Sequence, residues 1–174
     1  MKIKSLALFS IMLITLASFS QSKKDKKIIR DADAMQTLLK ADVGIDKLFM
    51  NSAGYVIFPN VGNGGFIVGG ASGNGVVYED GTAVGMADLK KINVGFQAGG
   101  QAIIEVIFFE TGDALDEFKT GDFEFSAGIS AVALKSGVAA NAKYKEGVAV
   151  VVLPKAGLMA DVSVGGQKFS YDPL

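Results

Sequence analysis

A glycine-dense apolar stretch, residues 53–75, constrains the fold of this chain more than any other segment. It reads AGYVIFPNVGNGGFIVGGASGNG and carries no charged residue. Residues 55–58 are β-branched and aromatic, which favours a buried strand, because Pro59 would stop a helix after one turn. Residues 66–68 predict a second strand after a Pro/Gly break. Glycines at this density are used where backbones approach closely or a sheet bends, so the stretch predicts a tightly packed, curled β structure.

The first twenty residues predict an export signal. Lys2 and Lys4 precede residues 5–19, an uncharged and mostly apolar stretch that is short for a membrane span. Ser18 and Ser20 suit cleavage before Gln21, so we expect an exported chain in the periplasm or associated with the cell envelope. Retention of the segment as a membrane anchor is the alternative.

Composition excludes several classes of chemistry. With 49% hydrophobic and 20% charged residues, the 174-residue chain can bury the core of one ordinary domain. It contains no Cys and no His. The usual zinc sites, thiol nucleophiles, His-based triads and disulfide frameworks are therefore excluded.

Positive charge is concentrated at the start of the expected mature chain. Residues 22–30 hold five basic residues and one acidic residue, or +4, whereas residues 31–174 hold ten basic and seventeen acidic residues, or −7. An anionic lipid surface would attract such a block, and a solvated, frayed tail is the alternative interpretation. Nucleic acid is not expected as a partner, because the body is acidic. The basic residues are Lys23, Lys24, Lys26, Lys27 and Arg30.

Hydrophobic periodicity predicts an α+β fold. Ile28, Ala32, Met35 and Leu39 form one apolar stripe on a helix, and Asp42 is suited to cap a second, shorter helix. This amphipathic pair either lies in a bilayer interface or packs on the sheet. Short strands follow, with Asp80-Gly81 as a two-residue turn, and one helix is expected at residues 111–119. We expect eight to ten strands in a mainly antiparallel, strongly curled or barrel-like glycine-rich sheet, with helices to one side. The strand candidates are residues 55–58, 66–68, 75–79, 82–89, 93–98, 102–109, 123–140, 148–153, 156–164 and 167–171.

The sequence contains only weak matches to known ligand-binding and catalytic motifs. Residues 70–75 (GASGNG) lack the Lys-Ser/Thr of a phosphate-binding loop and run into a strand. The acidic residues between 113 and 124 lack the order of a calcium loop, so a solvated helix face explains them. Gln101 and Glu105 share one face of a predicted strand, where a paired core group is favoured over a catalyst. We predict no catalytic residue, no metal site and no cofactor.

Four segments resemble the bacterial branch of the SYLF domain family, lipid-binding modules related to a fungal actin-binding domain. They are AGYVIFPNVGNGGFIVGGASGNGVVYEDG (53–81), VGFQAGGQAIIEVIFFE (94–110), FEFSAGISAVAL (123–134) and AGLMADVSVGGQKFSY (156–171). The resemblance implies one SYLF-like domain at 28–174, helical over 28–51 and β-rich over 53–174. Together with the export signal at 1–20 and a basic flexible segment at 21–27, which the residues themselves predict, it gives the expected domain organisation.

The same resemblance implies a function. Eukaryotic members bind phosphoinositide-rich membranes through an amphipathic N-terminal helix with basic residues, and the five basic residues of 23–30 occupy the corresponding region. We therefore expect a non-catalytic exported module that associates with anionic phospholipid at the cell envelope. A structural or protein-interaction module of the envelope is the alternative. Actin is not expected as a partner for an exported chain.

Overall fold

The computed structural model describes residues 22–62, 70–92, 102–133, 142–155 and 164–174. The expected export signal, Gln101 and the predicted strands at 66–68 and 93–98 lie outside these ranges, as does nearly all of the one at 156–164. Three helices are present in the described parts: α1 (Lys23–Leu39), α2 (Val43–Asn51) and α3 (Gly112–Lys119).

Within the described ranges seven strands form one sheet, and the predicted α+β class is confirmed. The order across the sheet is β5-β6-β4-β1-β2-β3-β7, and every pairing is antiparallel except that of β5 with β6. The strands are β1 (Gly54–Gly62), β2 (Gly70–Glu79), β3 (Thr82–Ile92), β4 (Ile103–Phe109), β5 (Ala131–Ala133), β6 (Val148–Pro154) and β7 (Gln167–Pro173).

Local sequence signals explain where several elements begin and turn. Asp80 and Gly81 both have positive φ, at 50° and 76°, and join β2 to β3 in the predicted two-residue turn. Asp42 caps α2 as predicted, its side chain accepting hydrogen bonds from the backbone N–H groups of Gly44 and Ile45. Pro59 does not end its strand, because β1 continues to Gly62 through an irregularity between Ile57 and Asn60.

Both faces of the sheet are buried, each under its own helical layer. One face packs against α1 and α2 through Ala32, Leu39, Ile45 and other side chains, which confirms that the apolar stripe of the helical pair faces the sheet. The opposite face packs against α3 through Leu115 and Phe118. The expectation of helices on one side only is therefore wrong. Every residue of β4 is buried, as its continuous apolar run predicted.

The sheet formed by the described strands is not closed, so the barrel-like prediction is wrong for this part of the chain, while the predicted curvature is supported in part. Glu105 on β4 and Gln167 on β7 are separated by three intervening strands, which in a flat sheet would place them about 19 Å apart. The Gln167 side chain nevertheless donates a hydrogen bond of 2.9 Å to Glu105 Oε2. This contact requires the sheet to bend towards the side that carries α3.

Two further boundaries differ from the sequence expectation. Helix α1 begins at Lys23, so the flexible segment predicted for 21–27 is helical from its third residue. The long strand predicted for residues 123–140 is reduced, in its described part, to Ala131–Ala133. Phe123 and Phe125 instead pack their rings on Phe118 and Phe169, so their apolar character is used by the core without a strand ladder.

We predict that Gly75→Ala destabilises the protein by about 1–3 kcal/mol. A Cβ at this position would lie 2.6 Å from Cδ1 of Phe58 and 2.9 Å from the Ile57 carbonyl oxygen. The matched control is Gly112→Ala, where nothing lies within 4 Å of the added Cβ. Both changes restrict the unfolded chain similarly. Urea unfolding that shows equal effects for the two variants would contradict the close approach of β1 and β2.

Candidate functional site

The basic segment is folded into the first turns of α1. The Ser22 hydroxyl accepts a hydrogen bond from the Asp25 backbone N–H, and the Asp25 carboxylate accepts one from the Ser22 N–H, each at 3.1 Å. This reciprocal capping box satisfies two of the free N–H groups at the helix start. Because the cap precedes Lys23, all five basic residues are held on a regular helix.

All five basic side chains of α1 are exposed, and four of them share one face. At 100° per residue, Lys23, Lys26, Lys27 and Arg30 fall within an arc of about 100°, opposite the buried Ala32 and Leu39. We call these four residues the basic face. Lys24 projects to one side of it. The structure therefore brings the predicted site residues together, with Lys24 at their border.

The acidic residues of α1 are engaged with partners in the protein. Asp25 belongs to the capping box, and Asp31 accepts a hydrogen bond from Lys27, which is the main reason that the pKa of Asp31 is lowered. Asp33 accepts a hydrogen bond of 2.7 Å from the hydroxyl of the buried Tyr78. Burial, followed by this bond, raises the pKa of Tyr78. Asp33 therefore serves to attach α1 to the sheet.

The lysines at the start of α1 lower the stability of the helix. Lys23 and Lys24 occupy the first turn of α1, where the helix dipole disfavours positive charge by about 0.3–1 kcal/mol per residue. Asp25 in the same turn offsets part of this cost. The two lysines therefore do not stabilise the start of the helix.

Apolar side chains are also exposed on the helical pair. Leu38 is 59% exposed, Val43 73% and Met50 70%. Val43 and Met50 are seven residues apart on α2, on the side opposite its buried residues. The outer surface of the pair thus carries both positive charge and apolar area. No helix in the parts of the chain that the structure describes is long and apolar enough to span a membrane.

A cleft of about 610 Å³ lies between the N-terminal half of α1 and strands β1–β3. Lys27, Ile28 and Asp31 line it from the helix, and Asn60, Asn74 and Asp88 are among the residues that line it from the sheet. These sheet residues were not predicted from the sequence. A signal was available, because the polar residues Ser72 and Asn74 in β2, and Asp88 and Lys90 in β3, stand at alternating positions and therefore share one face of the sheet.

Glu105 is a paired core residue, as the sequence favoured. Its side chain is fully buried and accepts a hydrogen bond of 2.9 Å from Gln167, which is 3% exposed. Burial raises the pKa of Glu105 to about 7, while the bond from Gln167 and the charge of Lys91 lower it. The second oxygen of Glu105 and the amide oxygen of Gln167 make no hydrogen bond. A proton on Glu105 would supply the one donor that this pair of acceptors lacks.

The other candidate sites do not assemble. Residues 70–75 belong to β2 and pair with both β1 and β3, so they do not form a phosphate-binding loop. Asp113, Asp116 and Glu117 are exposed on α3, and Asp116 contacts Lys119 at 3.4 Å. Across the described ranges, no group of three or more Asp or Glu side chains is placed to hold a metal ion.

Comparison with known proteins confirms the resemblance to the SYLF family. Residues 90–173 match the Ysc84 family model, described as Las17-binding protein actin regulator. A relative named Beta cell expansion factor A, from Aeromonas veronii, is 31% identical over 86 residues, which cover 48% of this chain and 33% of the relative. The chain therefore matches about a third of that protein's length. The SYLF family is a family of binding modules. The family match begins after α1, so it does not include the basic face.

We predict that the free energy of unfolding falls as pH rises from about 4.5 to 7. Over this interval the folded protein keeps the proton of Glu105, whereas the unfolded chain, with a Glu pKa of 4.5, has released it. The slope is at most about 1.4 kcal/mol per pH unit. Chemical unfolding at pH 5, 6, 7 and 8 measures it.

The variant Glu105→Gln removes the ionisable group and retains a hydrogen-bonding amide opposite Gln167, so most of this pH dependence should disappear. Glu117→Gln, on the exposed face of α3, is the matched control and should keep it. An unchanged pH dependence in Glu105→Gln would show that Glu105 is ionised in the folded core throughout.

Proposed function

We propose that this chain, whose residues 90–173 match the SYLF family, is a non-catalytic exported module that associates with anionic phospholipid at the cell envelope. One observation carries the proposal: Lys23, Lys26, Lys27 and Arg30 lie on one exposed face of α1, opposite the face that packs on the sheet. Lys24 adds a fifth positive charge at the border of this face.

The mode of binding follows from the packing of α1. Ala32 and Leu39 are buried in the core, and Ile28, Ile29 and Met35 are partly buried against it. Insertion of this apolar stripe into a bilayer would uncover the sheet. We therefore favour electrostatic docking of the intact domain, with each basic side chain contributing about 1 kcal/mol at an anionic surface.

The charge distribution favours one orientation at such a surface. Residues 22–30 carry +4 and residues 31–174 carry −7, so the molecule is electrically polar. An anionic membrane attracts α1 and repels the acidic body. Because long-range attraction between exposed charges is screened by salt, binding of this kind weakens steeply as ionic strength rises.

Export and the non-catalytic role are parts of the same proposal. Export is supported by the basic and apolar pattern of residues 1–20. A non-catalytic role is supported by the match to a family of binding modules and by the full burial of Glu105, which is not among the residues that line the cleft beneath α1.

A second candidate is a protein-interaction module of the envelope. It is favoured by Leu38, Val43 and Met50, whose exposed apolar side chains would suit a protein surface. The two candidates differ in their dependence on charge. Replacing these three residues by Ser would abolish apolar protein contact and leave an electrostatic association with vesicles largely intact.

We predict that Lys23→Ser/Lys26→Ser/Arg30→Ser reduces binding to anionic vesicles about a hundredfold, because three contributions of about 1 kcal/mol are lost. Co-sedimentation with phosphatidylglycerol vesicles and with neutral phosphatidylcholine vesicles, at low and high salt, measures the effect. Wild-type protein should bind the anionic vesicles alone, and high salt should release it.

The charge-matched control is Lys143→Ser/Lys145→Ser/Lys168→Ser, which removes three exposed lysines away from α1. It should keep most of the vesicle binding. Equal losses in the two variants would show that only net charge matters. Absence of binding to every vesicle would reject the lipid proposal in favour of a protein partner.

A further inference from the structure

We propose that the cleft beneath the N-terminal half of α1 binds the phosphodiester group of a polar headgroup that also carries an ammonium or hydroxyl donor. The inference rests on the proposed function and adds a defined ligand site to it. A bilayer lipid and a soluble glycerophosphodiester present the same chemistry, and the experiment separates these two sources.

The cleft exists because the first turns of α1 extend over a polar part of the sheet. Ala32 is the first fully buried residue of the helix, and Ile28 and Ile29 before it are only partly buried against the core. Ile28 lines both this cleft and a second one of about 340 Å³. At about 610 Å³, the larger cleft falls in the range typical of small-ligand sites.

The floor of the cleft changes from apolar to polar along three neighbouring strands. In β2, Val76 is buried under the helices, whereas Asn74 at the preceding position on the same face lines the cleft. The register pairs Asn60 with Asn74 and Asn74 with Asp88, which places one amide or carboxylate on each strand in a row. The Asn74 amide donates to the Asp88 carboxylate. Such a row provides donors and acceptors side by side.

Two lysines on separate elements line the cleft, Lys27 from α1 and Lys90 from β3. A third, Lys155 just after β6, lies beside the lining, because it reaches over β4 and donates a hydrogen bond of 3.0 Å to Oδ1 of the lining residue Asn60. Lys155 also helps to lower the pKa of Asp31, behind the larger effect of Lys27, so it is electrostatically coupled to the helix wall.

The carboxylates in the cleft determine the class of ligand. Asp31 lies on the helix wall and Asp88 on the floor, so a bare anion would meet two negative charges beside the lysines. A phosphodiester with an ammonium or hydroxyl group can place its phosphate at Lys90 and Lys155 and its donor at Asp31 or Asp88. The cleft thus favours a mixed polar headgroup over inorganic phosphate.

The cleft adjoins the proposed membrane-binding surface. Lys27 belongs to the basic face and also lines the cleft. A headgroup in a bilayer that meets α1 is therefore close to the opening. This continuity makes a lipid the source we expect, although the chemistry of the lining is equally suited to a soluble phosphodiester.

The test is a titration of the purified protein followed by ¹⁵N-resolved NMR, with glycerophosphoethanolamine and inorganic phosphate as probes. We expect saturable shifts at Asn60, Asn74 and Asp88 with the phosphodiester, and at least tenfold weaker binding of inorganic phosphate. The variant Lys90→Ser/Lys155→Ser should weaken phosphodiester binding at least tenfold. Asp88→Asn should weaken the phosphodiester more than inorganic phosphate.

Lys143→Ser/Lys168→Ser is the matched control and should bind glycerophosphoethanolamine like wild type. Lys168 pairs directly with Lys90 across β3 and β7 but does not line the cleft, so the control removes the same number of positive charges and keeps both Lys90 and the bond from Lys155 to Asn60. Thermal unfolding of each variant confirms that it is folded. Equal affinity for the two probes, shifts at other residues, or no effect of Lys90→Ser/Lys155→Ser would overturn the proposal.

Co-sedimentation with vesicles of phosphatidylethanolamine and phosphatidylglycerol separates the two sources of ligand. Weaker vesicle binding by Lys90→Ser/Lys155→Ser supports a lipid headgroup in the cleft. Unchanged vesicle binding, together with loss of glycerophosphoethanolamine binding, supports a soluble phosphodiester. Vesicle binding that depends on the basic face while no probe enters the cleft would overturn this inference and leave the proposed function intact.

Discussion

The packing of α1 on the sheet determines which surface of this protein can meet a partner. Ala32 and Leu39 are buried in one of the two cores, and Asp33 binds the hydroxyl of Tyr78 at the same interface. With the apolar stripe and Asp33 engaged on the protein side, the opposite face of the helix carries lysine and arginine, of which Lys27 also pairs with Asp31. The outward basic face is thus a consequence of how the helix covers the sheet.

The curvature of the sheet is seen in a polar contact inside the core that α3 covers. Glu105 on β4 and Gln167 on β7 have three strands between them, and their hydrogen bond requires the sheet to bend without closing a barrel. A buried carboxyl of this kind is costly when ionised, and burial accordingly raises its pKa to about 7. The core therefore contains an ionisable carboxyl group at a position where an apolar side chain would avoid the cost of burying it.

Sequence periodicity predicted the parts of the fold that depend on local chemistry. The Asp80-Gly81 turn, the Asp42 cap, the helix at α3 and the continuous burial of β4 are all features of short windows, and all are present. The start of α1 was predicted too late, because a lysine-rich run was read as solvated chain and the Ser22–Asp25 capping box was overlooked. Placement of helices on both faces, the open edges of the sheet and the meeting of Glu105 with Gln167 depend on contacts far apart in sequence, which periodicity does not contain.

The sequence predicted which basic residues belong to the candidate site, but it did not predict how they are arranged in space. The five basic residues were identified from charge alone, whereas their alignment on one face required the helix to begin at Lys23. The cleft was missed, because Asn60, Asn74 and Asp88 become neighbours only through the register of three strands. Lys155 could not be assigned to it from sequence, since it is 95 residues from its partner Asn60.

Docking through the outward face of α1 is tested most directly by site-specific fluorescence, which is practical because the chain has no native cysteine. An environment-sensitive fluorophore attached at Ala34→Cys lies on the exposed side of α1 within the arc of the basic face, and one at Glu117→Cys lies on α3, over the opposite face of the sheet. If α1 docks on the membrane, anionic vesicles at low salt should shift the fluorophore emission to the blue at position 34 and leave it unchanged at position 117, and high salt should reverse the shift. A shift at position 117, or none at position 34 while the protein binds, would contradict docking through the outward face of α1.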